Sequence, residues 1–214
     1  MLMDHTAFFL LKASPVPLLR LAGHTLTLYR VMRTAGRLAF PLYGFLLVEG
    51  FCHTRSRRRY ALRLGVFAAV SEIPWNLLWG GGLTYGTQNV FFTLLLGLLG
   101  IWALDWLLTA RSGRWRPALC LLMLLASSLL LKADYGCAGF GFILMLWALR
   151  RAPIPRAAVG ACMLPSRWMA GLAFIPIGMY NGRRGFIRSR AAALAFYAVY
   201  PAHLLILYAI RTVS

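Results

Sequence analysis

Asp4 and His5 stand side by side at the edge of the chain's first apolar stretch. A histidine is the usual general base for acyl transfer from a thioester to an amine or hydroxyl. A nearby carboxylate would orient its ring and stabilise the imidazolium. Neighbours on a helix point about 100° apart, so that carboxylate can equally be Glu49 or Glu72. The five acidic residues are Asp4, Glu49, Glu72, Asp105 and Asp134, and none sits in a basic loop where a surface ion pair would be natural. Glu49 closes an apolar run and Glu72 lies inside another. A carboxylate at bilayer depth costs at least ~2.5 kcal/mol on insertion scales, so it is normally paired, protonated or functional. The plain alternative is a structural ion pair with an arginine of a neighbouring helix. Several such groups in one small bundle favour a polar cavity, with Asp105 only interfacial.

Spacing groups further polar residues. Glu72 and Asn76 share a helix face that Pro74 bends, and Glu49 with His53 and Asn89 with Thr93 are likewise one turn apart. Tyr200-Pro-Ala-His203 lies in otherwise apolar sequence. His203 is either a core histidine donating to a backbone carbonyl or part of a site. GxSxG, HExxH, the P-loop and the Rossmann glycine run are absent. The histidines lack metal-ligand spacing, so no metal is expected.

These residues must be positioned by membrane helices. Of 214 residues 60% are hydrophobic and only 13% charged, and the mean hydropathy is +0.69. The apolar residues form continuous blocks that do not alternate, which argues against a β-barrel. The expectation is an all-α, polytopic transmembrane helix bundle, a single domain over residues 1–214, with about eight or nine membrane segments. The first, residues 1–11, reads as truncated, since at ~1.5 Å per residue it covers ~16 Å of a ~30 Å core. A loop is expected over 12–36, then segments at 38–52, 60–79 (kinked at Pro74), 90–108, and a hairpin of 118–131 and 135–149. Region 157–180 is read as two short limbs divided at Pro165-Ser166-Arg167, and 191–210 as the last helix.

The net charge of +18 comes from arginines clustered between the blocks. That is the pattern of positive residues held on the cytoplasmic side. With no soluble basic face, nucleic-acid binding is not expected; anionic lipid or the phosphates of a cytosolic cofactor suit these arginines. The loop 80–87 has no Lys or Arg and should face outward. Cys52, Cys120, Cys137 and Cys162 form no CxxC pair and read as small buried hydrophobes. No signal peptide is visible.

A series of segments, in order, carries a family resemblance: Met3-Asp4-His5, Gly36-Arg-Leu-Ala-Phe-Pro41, Phe45-Leu-Leu-Val-Glu-Gly-Phe51, His53-Thr-Arg55, Ser71-Glu-Ile-Pro74 with Asn76, Gln88-Asn-Val-Phe-Phe-Thr-Leu-Leu-Leu-Gly-Leu98, Asp134-Tyr-Gly136, Tyr180-Asn-Gly182 with Arg184-Gly185, Phe196-Tyr197 and Tyr200-Pro-Ala-His-Leu204. Together they resemble the TraX family along almost the whole chain. That family includes the F-pilin acetylation protein, and it is similar to the wider group of transmembrane acyltransferases that draw on cytosolic acetyl-CoA. The resemblance implies a multi-pass protein of the bacterial cytoplasmic (inner) membrane. It places His5 where those proteins carry a catalytic histidine, and in that family the acceptor is the pilin N-terminus. Two departures stand out: the shortened first segment and the interruption at Pro165-Ser166-Arg167.

The resulting expectation is a membrane-embedded acetyltransferase with acetyl-CoA as co-substrate. The acceptor is open between a peptide amine and a glycan hydroxyl. The catalytic candidates are His5, Asp4, Glu49 and Glu72. Arg37, Asn76, Gln88, Asn89, Thr93, Tyr180, Asn181, Tyr200 and His203 are candidates for binding the acceptor or the thioester oxyanion. Arg55, Arg58, Arg183 and Arg184 are candidate phosphate contacts, because guanidinium pairs bidentately with phosphate. Two rival readings explain intramembrane carboxylates as well: a small proton-coupled transporter or permease, and a non-catalytic assembly factor for surface structures.

Overall fold

A computed structural model describes the chain except at residues 14–15, 22–23, 164–170, 184, 186–188 and 214. The described residues are mostly helical. They fall into two compact units, Met1–Tyr43 with Leu164–Ser214, and Gly44–Met163.

In the first unit, α1 (Leu2–Thr6) runs straight on into a π-helical turn, Ala7–Leu11. Within 12–36, expected as a loop, the described residues include two strands and a helix. Strands β1 (Pro17–Leu21) and β2 (His24–Thr27) pair antiparallel, with Leu19 opposite Leu26 and Pro17 opposite Thr27. Pro17 takes the first position of its strand, where a missing N–H does least harm. The amide of Leu28 closes the base of this hairpin on Val16 O at 2.9 Å. Among the described residues the mostly helical fold carries this one small sheet, which the all-α expectation did not include. Thr27 then caps α2 (Leu28–Gly36), its side chain accepting from Arg30 N. After a turn at 37–38, α3 (Ala39–His53) completes the apolar stretch Leu28–His53, its residues from Gly44 on belonging to the second unit. The unit ends with α9 (Phe174–Gly178) and α10 (Arg190–Val213). The expected division at Pro165-Ser166-Arg167 lies outside the described residues.

The second unit holds α4 (Arg57–Gly80), α5 (Val90–Thr109), α6 (Trp115–Leu130), α7 (Gly136–Ala148) and α8 (Pro153–Cys162). Ser56 caps α4 and Asn89 caps α5, each accepting a first-turn amide. Gly81, at φ +70°, stops α4 in the left-handed region. Between lipid-facing helices the hydrophobic effect offers little, so close van der Waals packing at small residues must hold them. Gly97 and Gly100 on α5 serve that end: a Cβ there would lie 2.5 Å from Ile143 and 2.6 Å from Phe140 of α7. Leu98, Ile101, Phe142, Ile143 and Leu146 are buried around this contact.

Three helical stretches among the described residues are long and apolar enough to cross a membrane: Leu28–His53, Val90–Thr109 and Ala191–Val213. Leu2–Leu11, Trp115–Leu130 and Gly136–Ala148 are shorter apolar helices. The four cysteines are all exposed, not buried as expected. Their apolar surroundings in the sequence are helix faces that carry Leu and Met outward, such as Leu122 and Met123 beside Cys120.

Candidate functional site

The first unit brings together two residues 198 positions apart. His5 Nδ1 on α1 lies 2.9 Å from His203 Nε2 on α10. Both rings are buried, at 7% and 5% exposure. Their planes differ by 11° and their centres are 5.2 Å apart. That separation is the 2.9 Å nitrogen contact extended by one ring radius at each end. The imidazoles therefore meet edge to edge in nearly one plane, the geometry of a hydrogen bond and not of face-to-face stacking. His203 Nδ1 makes a second contact, 3.0 Å to Val199 O one turn back on α10. His203 thus donates to a backbone carbonyl, the first of the two sequence alternatives, and it also touches His5. Tyr200, equally buried, sets its ring edge against both imidazoles, with centres 6.2 Å from His5 and 5.3 Å from His203.

Two devices seat α1 so that His5 can reach. Arg33 Nη1 of α2 donates to Asp4 Oδ2. Gly36, at the end of α2, lies against the Asp4 backbone: a Cβ there would sit 2.9 Å from Asp4 Cα and 3.0 Å from Asp4 N. Asp4 is thus a helix anchor, and the group found at His5 Nδ1 is an imidazole where a carboxylate was expected. Arg33 gives no local sequence signal for this, being 29 residues from Asp4. Gly36 had one, as the first residue of its motif. Arg37 follows it at the C-cap of α2 and is half-buried.

The remaining site candidates of this unit lie at a turn. Tyr180 and Asn181 are exposed, and Asn181 Oδ1 accepts from Arg183 N at 3.0 Å, closing a local turn. Arg183 is exposed. Arg184 lies outside the described residues.

In the second unit the polar residues of α4 hold the loop that follows it and the start of α5. Asn89 Nδ2 donates to Ala68 O at 2.9 Å and to Glu72 Oε2 at 2.7 Å, while its Oδ1 accepts from Phe91 N. Both amide hydrogens of this fully buried residue are therefore engaged within the protein. Asn76 Nδ2 donates to Leu83 O and Trp75 Nε1 to Thr87 O, both at 2.7 Å. The backbone of Gln88 bridges to Lys132 and Asp134, and Thr93 Oγ1 accepts from Tyr135 N. The Gln88 side chain is half-buried. Spacing had placed Glu72 with Asn76 and Asn89 with Thr93 along single helices; Asn76 does hydrogen-bond Glu72, while the bonds from Asn89 to Glu72 and from Tyr135 to Thr93 run between elements.

At the arginine-rich end of this unit, Arg57 donates to Asp105 at 2.8 Å, making Asp105 an ion-pair member. His53 Nδ1 lies 2.9 Å from Glu49 O. Arg156 is buried over the Phe45 ring. Burial lowers the pKa of its guanidinium, and the Glu49 carboxylate raises it again. Arg55 and Arg58 are exposed at the N-terminus of α4. Among the described residues no cluster of His, Cys, Asp and Glu has the arrangement of a metal site.

With this geometry in view, the chain can be set beside known proteins. The family model described as "TraX protein" matches residues 1–211. A protein from Dichelobacter nodosus, described as "Probable fimbrial assembly protein FimC, serogroup H1", is 30% identical over 209 residues, covering 84% of this chain and 82% of that one. No solved structure matches.

Proposed function

The chain belongs to the TraX family, and from that premise we propose that it is a membrane-embedded acetyltransferase that moves an acetyl group from acetyl-CoA to an amine or hydroxyl acceptor. The observation that carries this reading is the buried His5–His203 contact. A base held in one orientation by a hydrogen bond is what acyl transfer from a thioester needs. His5 takes the acceptor's proton as the acceptor attacks the thioester carbonyl. Tyr200 walls the pair. Arg37, half-buried in the same unit as His5, is the candidate for positioning the acceptor or the oxyanion. Arg183, exposed in the unit that holds His5, is suited to the phosphates of acetyl-CoA. The membrane is the bacterial cytoplasmic membrane, crossed several times; the three long spans and three shorter apolar helices, taken with α4, α8 and α9, make up about eight or nine segments.

The acceptor we propose is a subunit of a fimbria or pilus, a choice supported by the relative's description as a fimbrial assembly protein. The test is the mass of the major fimbrial subunit purified from the host with and without this gene. One acetyl group present only with the gene supports the proposal, and identical masses count against a subunit acceptor.

A second reading is favoured by that same name: a non-catalytic fimbrial assembly factor. It expects assembly to survive His5→Gln and His203→Gln as long as the protein remains inserted. The enzyme expects the His5 change to abolish modification.

A further inference from the structure

Resting on the acetyltransferase reading, we infer that His203 is a positioning residue that fixes the proton of His5 on Nδ1, so that Nε2 is the nitrogen that acts as base. The argument is one of donors and acceptors. A backbone carbonyl only accepts, so the 3.0 Å contact to Val199 O requires the proton of His203 to be on its Nδ1. A neutral His203 then presents a lone pair at Nε2. That lone pair faces His5 Nδ1 at 2.9 Å, with the rings nearly coplanar, so His5 must be the donor. A neutral His5 with its proton on Nδ1 carries its own lone pair on Nε2. One carbonyl in the turn of α10 that Pro201 follows thereby determines, through two rings, which nitrogen of a residue on α1 is basic.

The assignment has content because imidazole in water prefers the other tautomer, with the proton on Nε2. A histidine left to that preference would present Nδ1 as its base, hard against its own backbone. In many enzymes a carboxylate or a carbonyl holds Nδ1–H for this purpose. Here a second histidine does so, itself held by the carbonyl, and no charge is enclosed.

The transfer step then balances as follows. The acceptor N–H or O–H attacks the thioester carbonyl carbon, and its proton passes to His5 Nε2. The new N–C or O–C bond forms and the C–S bond breaks, with the electron pair leaving on the CoA sulfur. The proton on Nε2 goes to that thiolate, giving free CoA thiol and neutral His5. Throughout, Nδ1–H of His5 remains on His203 Nε2, and His203 neither gains nor loses a proton.

The experiment uses the full-length protein in lipid nanodiscs with 15N-labelled histidine, and His5→Gln to assign the resonances. Nitrogen chemical shifts separate protonated from bare ring nitrogens. The expectation for His5 is a protonated Nδ1 and a bare Nε2, shifting towards the water-preferred tautomer in His203→Phe, which keeps the ring shape and removes the acceptor. In His203→Gln the amide oxygen takes the place of Nε2, and the wild-type pattern of His5 should return. In acetyl-transfer assays, kcat should fall on the order of 100-fold in His203→Phe, with KM for acetyl-CoA unchanged, and recover within about tenfold in His203→Gln. A wild-type His5 protonated on Nε2, a doubly protonated His203, or a His5 pattern unmoved in His203→Phe would each overturn the inference. The spectra stand without any assay, so a protein lacking transferase activity but showing the expected tautomer defeats the functional reading alone. An active enzyme with the wrong tautomer defeats only this inference. If His203→Phe does not insert, His203→Leu read by the same spectra replaces it.

Discussion

His5 stands out in the sequence because a titratable ring in an apolar run demands a reason. Its partner does not, since nothing in local spacing joins α1 to a residue 198 positions away. That is why the candidate base was legible and the identity of the group holding it was not. Expectation favoured Asp4, Glu49 or Glu72 as the orienting group, because carboxylates are the commoner partners. Asp4 has another occupation, its contact with Arg33. Its loss should weaken the seat of α1 without removing the base. Asp4→Asn is therefore expected to lower acetyl transfer by no more than about fivefold, equivalent to roughly 1 kcal/mol for one partly exposed ion pair. Initial rates of the purified variant check this; a loss as deep as that of His5→Ala would return Asp4 to the chemistry.

At the level of elements, the long apolar runs were readable as helices, and α5 and α10 fall close to their expected bounds. The hairpin and α2 were not, because residues 12–36 mix Pro, Arg and short apolar pairs in a pattern too brief to separate strand from loop. The close approach of α2 to α1 depends on Gly36 having no side chain. Gly36→Ala should force the Asp4 backbone away, at about 1–3 kcal/mol of strain, and displace His5 from His203. Activity should fall at least as far as in Asp4→Asn, and the His5 nitrogen shifts should move with it. In the second unit, Asn89→Ala removes the cap of α5 together with donors to Ala68 O and Glu72. The expected cost is about 2 kcal/mol of stability, seen as a lower melting temperature in detergent. An unchanged melting temperature would show that the cap is not what holds this junction.

For the molecule as a whole, the apolar blocks announced a membrane protein, and among the described residues three stretches are long enough to cross by themselves. The number of crossings was harder to read, because the shorter apolar helices satisfy composition without satisfying length. Arginine placement predicts orientation. Cys52 is exposed beside the basic run that follows α3, so it should lie at the cytoplasmic face. In a variant retaining only that cysteine, a membrane-impermeant maleimide should label inverted vesicles and not spheroplasts. A cysteine placed at Gly86, in the exposed loop lacking Lys and Arg, should behave in the opposite way.

The enzyme reading is tested most directly by incubating membranes with acetyl-CoA radiolabelled in the acetyl group, comparing wild type with His5→Ala at equal amounts of inserted protein. The account predicts label passing to a membrane-associated or subunit acceptor with the wild type, and a loss of at least about 100-fold in the variant. Equal labelling by the two proteins, or none by the wild type with its fimbrial acceptor present, would contradict it.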